Sequence, residues 1–212
     1  MLKNLFRNTS HHKKYWTDRK IDWKTAYQDT WDHPHRKVLA YMLARIPWVS
    51  LVEIGCGSGA NLKQIVKSLP GKQLGGIDIN KDAIDLAKKT FGGGVFFTCS
   101  ADDIMMSDKS SDIVLSDMTL IYVDSRNIKR YLKEIKRVAR KYVVLCEFHH
   151  KSWIKRMWLK ITSGYNAYNW EKLLKEQDFY DIISYKLSEN DWPGGNPQKT
   201  FGWIFIAKAP KR

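Results

Sequence analysis

The chain has 212 residues, of which 43% are hydrophobic and 13% aromatic; that is enough for one sizeable core and too short for two ordinary domains, and it excludes a disordered or low-complexity polypeptide. Its 36 Lys and Arg outweigh 22 Asp and Glu, a formal charge of +14, which favours an anionic partner and bears on association rather than on fold. Cys56, Cys99 and Cys146 are scattered through apolar runs, so neither a disulfide framework nor a zinc site is expected, and no metal is assigned.

Met1–Ser10 lacks the apolar run of a signal peptide, and the apolar stretches 142–146 and 203–207 are too short to cross a bilayer. A cytoplasmic protein is therefore expected. Residues 1–33 are polar, basic and rich in Trp. Pro34 opens a helical pattern through Val38, Leu39, Met42, Leu43 and Ile46, which Pro47 stops.

A regular alternation follows. Residues 48–54 form an apolar run ending in glycines, the mark of a buried strand. A helix is expected over 61–69, stopped by Pro70 and Gly71, then a strand over 74–79. A short helix over 82–90 breaks at Gly92–Gly94, and strands follow over 95–99 and 112–116. Residues 127–140 carry the stripe Ile128, Tyr131, Leu132, Ile135 and Val138 of an amphipathic helix. A fifth strand spans 142–148. Helical patterns return over 152–161 and over 170–177, the latter capped by Asn169. Two late strands, 181–187 and 200–207, flank a Pro/Gly loop over 192–197.

Strands alternating with helices imply a mostly parallel sheet covered on both faces. The expected fold is α/β, a Rossmann-like seven-stranded sheet with an antiparallel C-terminal strand pair. One domain, 1–212, is expected, divided into an N-terminal helical lid (1–46), a cofactor-binding core (47–150), a substrate-side helical insertion (151–180) and the strand pair (181–212).

The strongest motif is Val52-Glu53-Ile54-Gly55-Cys56-Gly57-Ser58-Gly59-Ala60-Asn61, a strand running into a glycine-dense turn that opens a helix. Glycines allow positive φ and close backbone approach, and the helix N-terminus offers free N–H groups. The spacing Gly55-x-Gly57-x-x-Ala60 also satisfies the dinucleotide fingerprint. Glu53, just before the first glycine, is poorly placed for a pyrophosphate and well placed for a ligand with a sulfonium and a free amino group.

With these residues the chain resembles the class I S-adenosylmethionine-dependent methyltransferases, specifically the small-molecule methyltransferase type 11 group, over roughly residues 48–150. Glu53, Gly55, Gly57 and Gly59 match the first motif, and the resemblance places Asn61 beside them. Asp78, with Ile79 after it, stands where the family sets an acidic residue on the ribose hydroxyls. Ser100, Ala101 and Asp102 follow the third strand, where the family binds adenine. Ser116 and Asp117 close a run like its fourth motif. The implied cofactor is S-adenosylmethionine, with S-adenosylhomocysteine as product. The Asn/Asp-Pro-Pro-Tyr/Phe signature is missing and no Cys follows a Pro, so the resemblance argues against two DNA-modifying subclasses.

Methyl transfer is an in-line displacement, and a general base is needed only where the acceptor must lose a proton. In an open α/β sheet the site lies beyond the carboxyl ends of the strands. His149 and His150 follow the fifth strand and are the first candidates for that base; Asp117 is the next. His35 and Arg36 are read as members of a lid. Tyr15, Trp16, Trp23, Tyr27 and Trp31 either line an aromatic acceptor pocket or pack the N-terminal segment, with packing preferred. Basic residues crowd 126–141, read as a solvated face. A second basic-aromatic patch, Lys151, Trp153, Lys155, Arg156, Trp158 and Lys160, could stack bases, lie on an acidic membrane surface or cap the pocket, the last being preferred. The expected activity is O- or N-methylation of an unidentified, anionic small molecule by a monomer or homodimer. An RNA methyltransferase and a catalytically silent binding protein are the alternatives.

Overall fold

A computed structural model describes residues 8–210. The remaining residues, which belong to the outer ends of the expected lid and strand pair and to most of Met1–Ser10, lie outside the described residues. The chain opens with α1 (Thr9–Asp18), α2 (Trp23–Ala26) and α3 (Pro34–Leu43). It continues as β1 (Ser50–Ile54), α4 (Ala60–Ser68), β2 (Gln73–Asp78), α5 (Lys81–Phe91), β3 (Val95–Thr98) and β4 (Ser111–Asp117). After β4 come α6 (Ile128–Val138), β5 (Ala139–Phe148), α7 (Trp153–Ser163), α8 (Trp170–Glu176), β6 (Tyr180–Lys186), α9 (Gln198–Phe201) and β7 (Gly202–Lys208).

The seven strands form one sheet in the order β3-β2-β1-β4-β5-β7-β6. β1 through β5 pair in parallel, and β7 runs antiparallel to both β5 and β6. The chain reverses between β1 and β4, and the crevice at that switch point opens beyond the strand ends.

Period-two alternation decides which side chains face which layer. Leu51, Ile113, Leu115, Val144, Cys146, Ile204 and Ile206 face one layer, with Leu39 and Leu43 of α3, Leu62 and Ile65 of α4 and Ile84 of α5. Val52, Val114, Val143, Leu145 and Phe205 face the other, with the α6 stripe and with Trp170 and Leu174 of α8. The same alternation sends Glu53 and Asp117 toward α3 and α4, and Ser116, Glu147 and His149 toward α6 and α8.

Local signals agree with these elements. Pro34 stands in the first turn of α3; Asn80 caps α5 by accepting from Ala83 N; Asn169 caps α8 by accepting from Lys172 N. α3 ends at Leu43, short of Pro47, because the Trp48 indole N–H donates to the Leu43 carbonyl (2.9 Å) and closes the turn. α1 falls within the expected helical lid, although no bounds for it were expected. It has no apolar stripe, and polar bonds dock it on the core: Asp124 accepts from Thr9 N and Oγ1, and Asp102 accepts from Lys13 Nζ (2.7 Å). No helix among the described residues is long and apolar enough to cross a membrane.

Candidate active site

β1 delivers the chain into Gly55, Gly57 and Gly59 at φ +65°, +52° and +87°. At Gly55 a Cβ would lie 2.1 Å from Thr119 Oγ1, and at Gly59 one would lie 2.4 Å from Phe91. Glycine is thus required both by the left-handed backbone and by close approach. The turn is tied to β2: Cys56 N donates to the Ile77 carbonyl (3.0 Å), and Gly57 N donates to Asp78 Oδ2 (2.8 Å). Asn80 N donates to Asp78 Oδ1 (2.8 Å). Burial pushes the Asp78 carboxyl up, against the pull of these N–H groups.

Beyond the strand ends lies a cavity of about 310 Å³, at the low end of the range of small-ligand sites. The glycine turn, Asp78, Ile79, Ser100, Ala101, Asp117 and Thr119 form its floor. Trp16, Trp23, Tyr27, Tyr122, Tyr165 and Trp192 wall it, with His35 and Arg36 from α3. The N-terminal segment crosses the opening and is fastened by specific bonds. Asn80 Nδ2 donates to the Trp16 and Arg19 carbonyls. Gln28 Nε2 donates to the Ser58 carbonyl and to Thr90 Oγ1, and Ser58 Oγ donates to the Trp23 carbonyl.

A polar chain runs under this roof. Asn61 Nδ2 donates to Glu53 Oε1 (2.6 Å) and to Asp117 Oδ2 (2.9 Å). His35 Nε2 lies 3.0 Å from the same Asp117 oxygen, and His35 Nδ1 lies 2.6 Å from His33 Nδ1. Burial, with the Asp117 charge nearby, raises Glu53 to about 8 despite the Asn61 bond. Burial would also raise Asp117, but His35, Arg36 and Asn61 outweigh it and hold that carboxyl well below the usual range. Burial and the neighbouring His35 bring His33 down to about 4.

Of the expected cofactor residues, Glu53, Gly55, Gly57, Asn61, Asp78, Ile79, Ser100, Ala101 and Asp117 line this one cavity. Gly59, Asp102 and Ser116 do not. Gly59 is the N-cap of α4. Asp102 holds the lid through Lys13 and accepts from Ser100 Oγ. Ser116 Oγ donates to Glu147 Oε1 (2.6 Å).

Neither histidine expected as base lines the cavity. Alternation on β5 turns His149 toward α8; it is buried, Trp170 N donates to its Nδ1 (3.1 Å), and its ring packs on Trp203 and Phe205. Burial lowers it to about 4. His150 Nδ1 accepts from Ser152 N (2.9 Å), outside the cavity wall. Asp117 alone of the three candidates reaches the cavity. Trp16, Trp23 and Tyr27 line it too, against the preference for plain packing. Tyr15 is exposed, and Trp31 lies under Lys63 and Lys67.

Sequence reasoning missed Glu147. Its Oε1 accepts from Ser116 Oγ, Thr119 N and Leu120 N, and its Oε2 accepts from Ile121 N (3.2 Å). It thereby fixes the turn that carries Met118, Thr119, Ile121 and Tyr122 into the cavity. Burial raises it to about 7. An acid ending an apolar strand was the available signal.

The residues fit S-adenosylmethionine. Glu53 Oε2, Asn61 Oδ1 and Asp117 Oδ1 are buried acceptors without a hydrogen-bond partner among the described residues. Such orphans are costly and call for a donor. Glu53 Oε2 near the end of β1 and Asn61 Oδ1 in the first turn of α4 suit the ammonium of a cationic ligand, and Asp117 Oδ1 at the end of β4 is left for a further donor. Asp78, at the end of the neighbouring strand β2, lines the same cavity and offers a second polar group, and Ile79 and Ala101 beside it offer an apolar surface for a flat ring.

Residues 52–146 match the family model described as a methyltransferase domain. Among solved structures, the complex of the Haloferax volcanii Trm112 methyltransferase activator with a putative methyltransferase aligns at TM-score 0.66 and 17% identity, covering 92% of this chain and 100% of that one. Magnesium protoporphyrin IX methyltransferase from Synechocystis, with bound S-adenosylhomocysteine, aligns at 0.63 and 15%, covering 98% and 97%. A methyltransferase from Thermotoga maritima, described as a possible histamine N-methyltransferase, aligns at 0.60 and 15%, covering 99% and 100%. Residues 52–146 thus carry a methyltransferase domain, and the fold around it is that of solved S-adenosylmethionine-dependent methyltransferases.

Proposed function

We propose that the protein methylates an oxygen or nitrogen of a small, anionic acceptor held under the N-terminal lid. The observation that carries this reading is Arg36. Its Nε is buried at the cavity wall without a hydrogen-bond partner among the described residues. A guanidinium in that state wants a carboxylate or phosphate, and its fork geometry suits one.

S-adenosylmethionine, when bound, supplies an electrophilic methyl group on its sulfonium. Asp78 would receive the ribose hydroxyls, and Ser100 and Ala101 would border the adenine. Glu53 and Asn61 accept from the ammonium. Asp117 Oδ1 would accept the O–H or N–H of the acceptor and orient its lone pair, and the Asp117–His35 pair, rather than the carboxylate alone, would take up the proton released on methylation. The aromatic walls exclude water, which favours displacement over hydrolysis.

The RNA alternative rests on net charge and aromatic content, and basic charge crowds residues 126–141. Much of that charge is spent internally: Lys129 pairs with Glu176, Lys136 with Asp178, Arg137 with Glu134 and Asp108, and Arg140 and Lys141 with Asp112. The free thiols of Cys56, Cys99 and Cys146 suit the reducing cytoplasm.

The test is calorimetry with S-adenosylmethionine, followed by label transfer into fractionated metabolite and RNA pools. Label in acidic small molecules is the expected result. Label confined to RNA would replace the acceptor class, and cofactor binding without any transfer would favour the catalytically silent reading.

A further inference from the structure

The cavity leaves α7 without a role. This helix packs inward through Leu159, which is 1% exposed and joins Ile121, Phe148, Ala167 and Phe201. On its other side Trp153, Ile154, Met157 and Trp158 are 66%, 63%, 46% and 57% exposed. At about 100° per residue these four project from one arc of roughly 140° opposite Leu159. Lys155 and Lys160 flank that arc on its two sides. No acidic residue occurs between Phe148 and Trp170, whereas Lys151, Lys155, Arg156 and Lys160 fall inside that span.

Contiguous exposed apolar side chains rimmed by polar groups mark an interaction site. We propose that α7 docks the protein on an anionic phospholipid surface. The charge pattern selects this occupant. An apolar arc between lysines, with a Trp near each end, matches the interface between headgroups and acyl chains. A protein partner would need a matching acidic and apolar groove, whereas an anionic bilayer supplies both properties without further design. Lysines beside the surface add attraction to anionic lipid that salt screens, while the inserted Trp rings add a part that salt does not remove. Through Leu159, α7 packs on the same cluster as Tyr122 and Tyr165 of the cavity wall, so the docking helix is joined to the site.

The test is co-sedimentation of the full chain with vesicles of phosphatidylcholine alone and of phosphatidylcholine mixed with phosphatidylglycerol. The expected result is binding to the mixed vesicles, weak binding to phosphatidylcholine, and part of the binding kept at high salt. Trp153→Ser combined with Ile154→Ser should lower partitioning roughly a hundredfold, the effect of removing two large apolar groups. Lys155→Glu should weaken binding mainly at low salt. Trp153 and Ile154 are exposed, so circular dichroism melts of their variant should overlay wild type; Trp158 stacks on Phe201 and is left intact. Wild type remaining in the supernatant with the mixed vesicles overturns the proposal. So does an unchanged double variant, which would assign binding to net charge. A gel shift of single-stranded RNA that the double variant loses, without vesicle binding, would give the helix to nucleic acid.

Discussion

His35 and Asp117 form a buried pair: Nε2 lies 3.0 Å from Oδ2, and the two side chains are 1% and 6% exposed. They stand 82 residues apart, so the pair fastens α3 to the end of β4 and makes the lid part of the site. His35→Ala leaves a buried carboxylate short of a donor and opens a gap beside Trp192, with which the ring stacks. A loss of roughly 3 kcal/mol or more is expected. His35→Gln can still donate to Asp117 but cannot carry a proton onward. It should keep most of the melting temperature while kcat falls roughly a hundredfold. Equal losses of stability and turnover in both variants would reduce His35 to a structural post.

Asp78→Asn tests the cofactor end. The carboxylate accepts from Gly57 N through Oδ2 and from Asn80 N through Oδ1; the amide keeps one of these acceptors and turns an N–H donor toward the other, at a cost of about 1–3 kcal/mol. The fold should persist, while loss of a charge-assisted acceptor weakens S-adenosylmethionine binding roughly ten- to hundredfold. Calorimetry reads the change directly. Wild-type affinity in this variant would remove Asp78 from the ribose site.

What the sequence made legible was local. Apolar runs broken by glycine and proline gave each strand of the sheet and most of its helices to within a few residues. The glycine turn, Asp78 and Asp117 sit at strand ends, so motif spacing alone brings them to one crevice. Three features are non-local and left no such mark. α1 is held by Lys13–Asp102 and Thr9–Asp124 rather than by an apolar stripe. His35 meets Asp117 only through the α3 crossing. His149 looked free at the end of β5, but a bridge to Tyr168 and the bond from Trp170 N draw it into the α8 face.

The pH dependence of stability should be peaked. Glu53 and Glu147 rise to about 8 and about 7, above their ordinary 4.5, so the folded state holds protons that the unfolded chain has lost. Their contribution is complete below about pH 4.5 and is lost as pH climbs through 7 to 8. His33 and His149 fall to about 4 from 6.5, so the folded state holds fewer protons there. That contribution is complete above about pH 6.5 and is lost as pH drops toward 4. Between about pH 4.5 and 6.5 the two opposing slopes nearly cancel, so melting temperature should show a broad crest there and fall on either side. Glu53→Gln should flatten the alkaline limb. The cofactor, being cationic, prefers ionised Glu53, so wild-type affinity should rise from pH 6 to 8 where stability declines. A parallel fall of both would place the titrating group elsewhere.

Glu147→Gln probes the turn after β4. Four donors converge on the carboxylate, and an amide turns one of its two acceptors into a donor facing N–H groups. The expected cost is about 2–3 kcal/mol. Because Glu147 touches Thr119, Leu120 and Ile121 but does not line the cavity, the defect should fall on acceptor placement. kcat should drop several-fold with cofactor affinity nearly intact, and single-turnover kinetics separate the two.

Gly55 joins the first motif to the fourth. It adopts φ +65°, and a Cβ there would lie 2.1 Å from Thr119 Oγ1 and 2.5 Å from its Cγ2. Gly55→Ala therefore combines a left-handed backbone penalty of about 1–2 kcal/mol with a clash that only movement of Thr119 relieves. Thr119 N is itself bound by Glu147, so it cannot retreat without breaking that clamp. Thr119→Gly in the same chain removes the atoms struck by the new Cβ and leaves the φ penalty alone. The double variant should recover more than half of the stability lost by Gly55→Ala, measured by urea denaturation, while remaining less stable than wild type. No recovery would mean that backbone strain, and not contact between the two motifs, is what fixes glycine at this position.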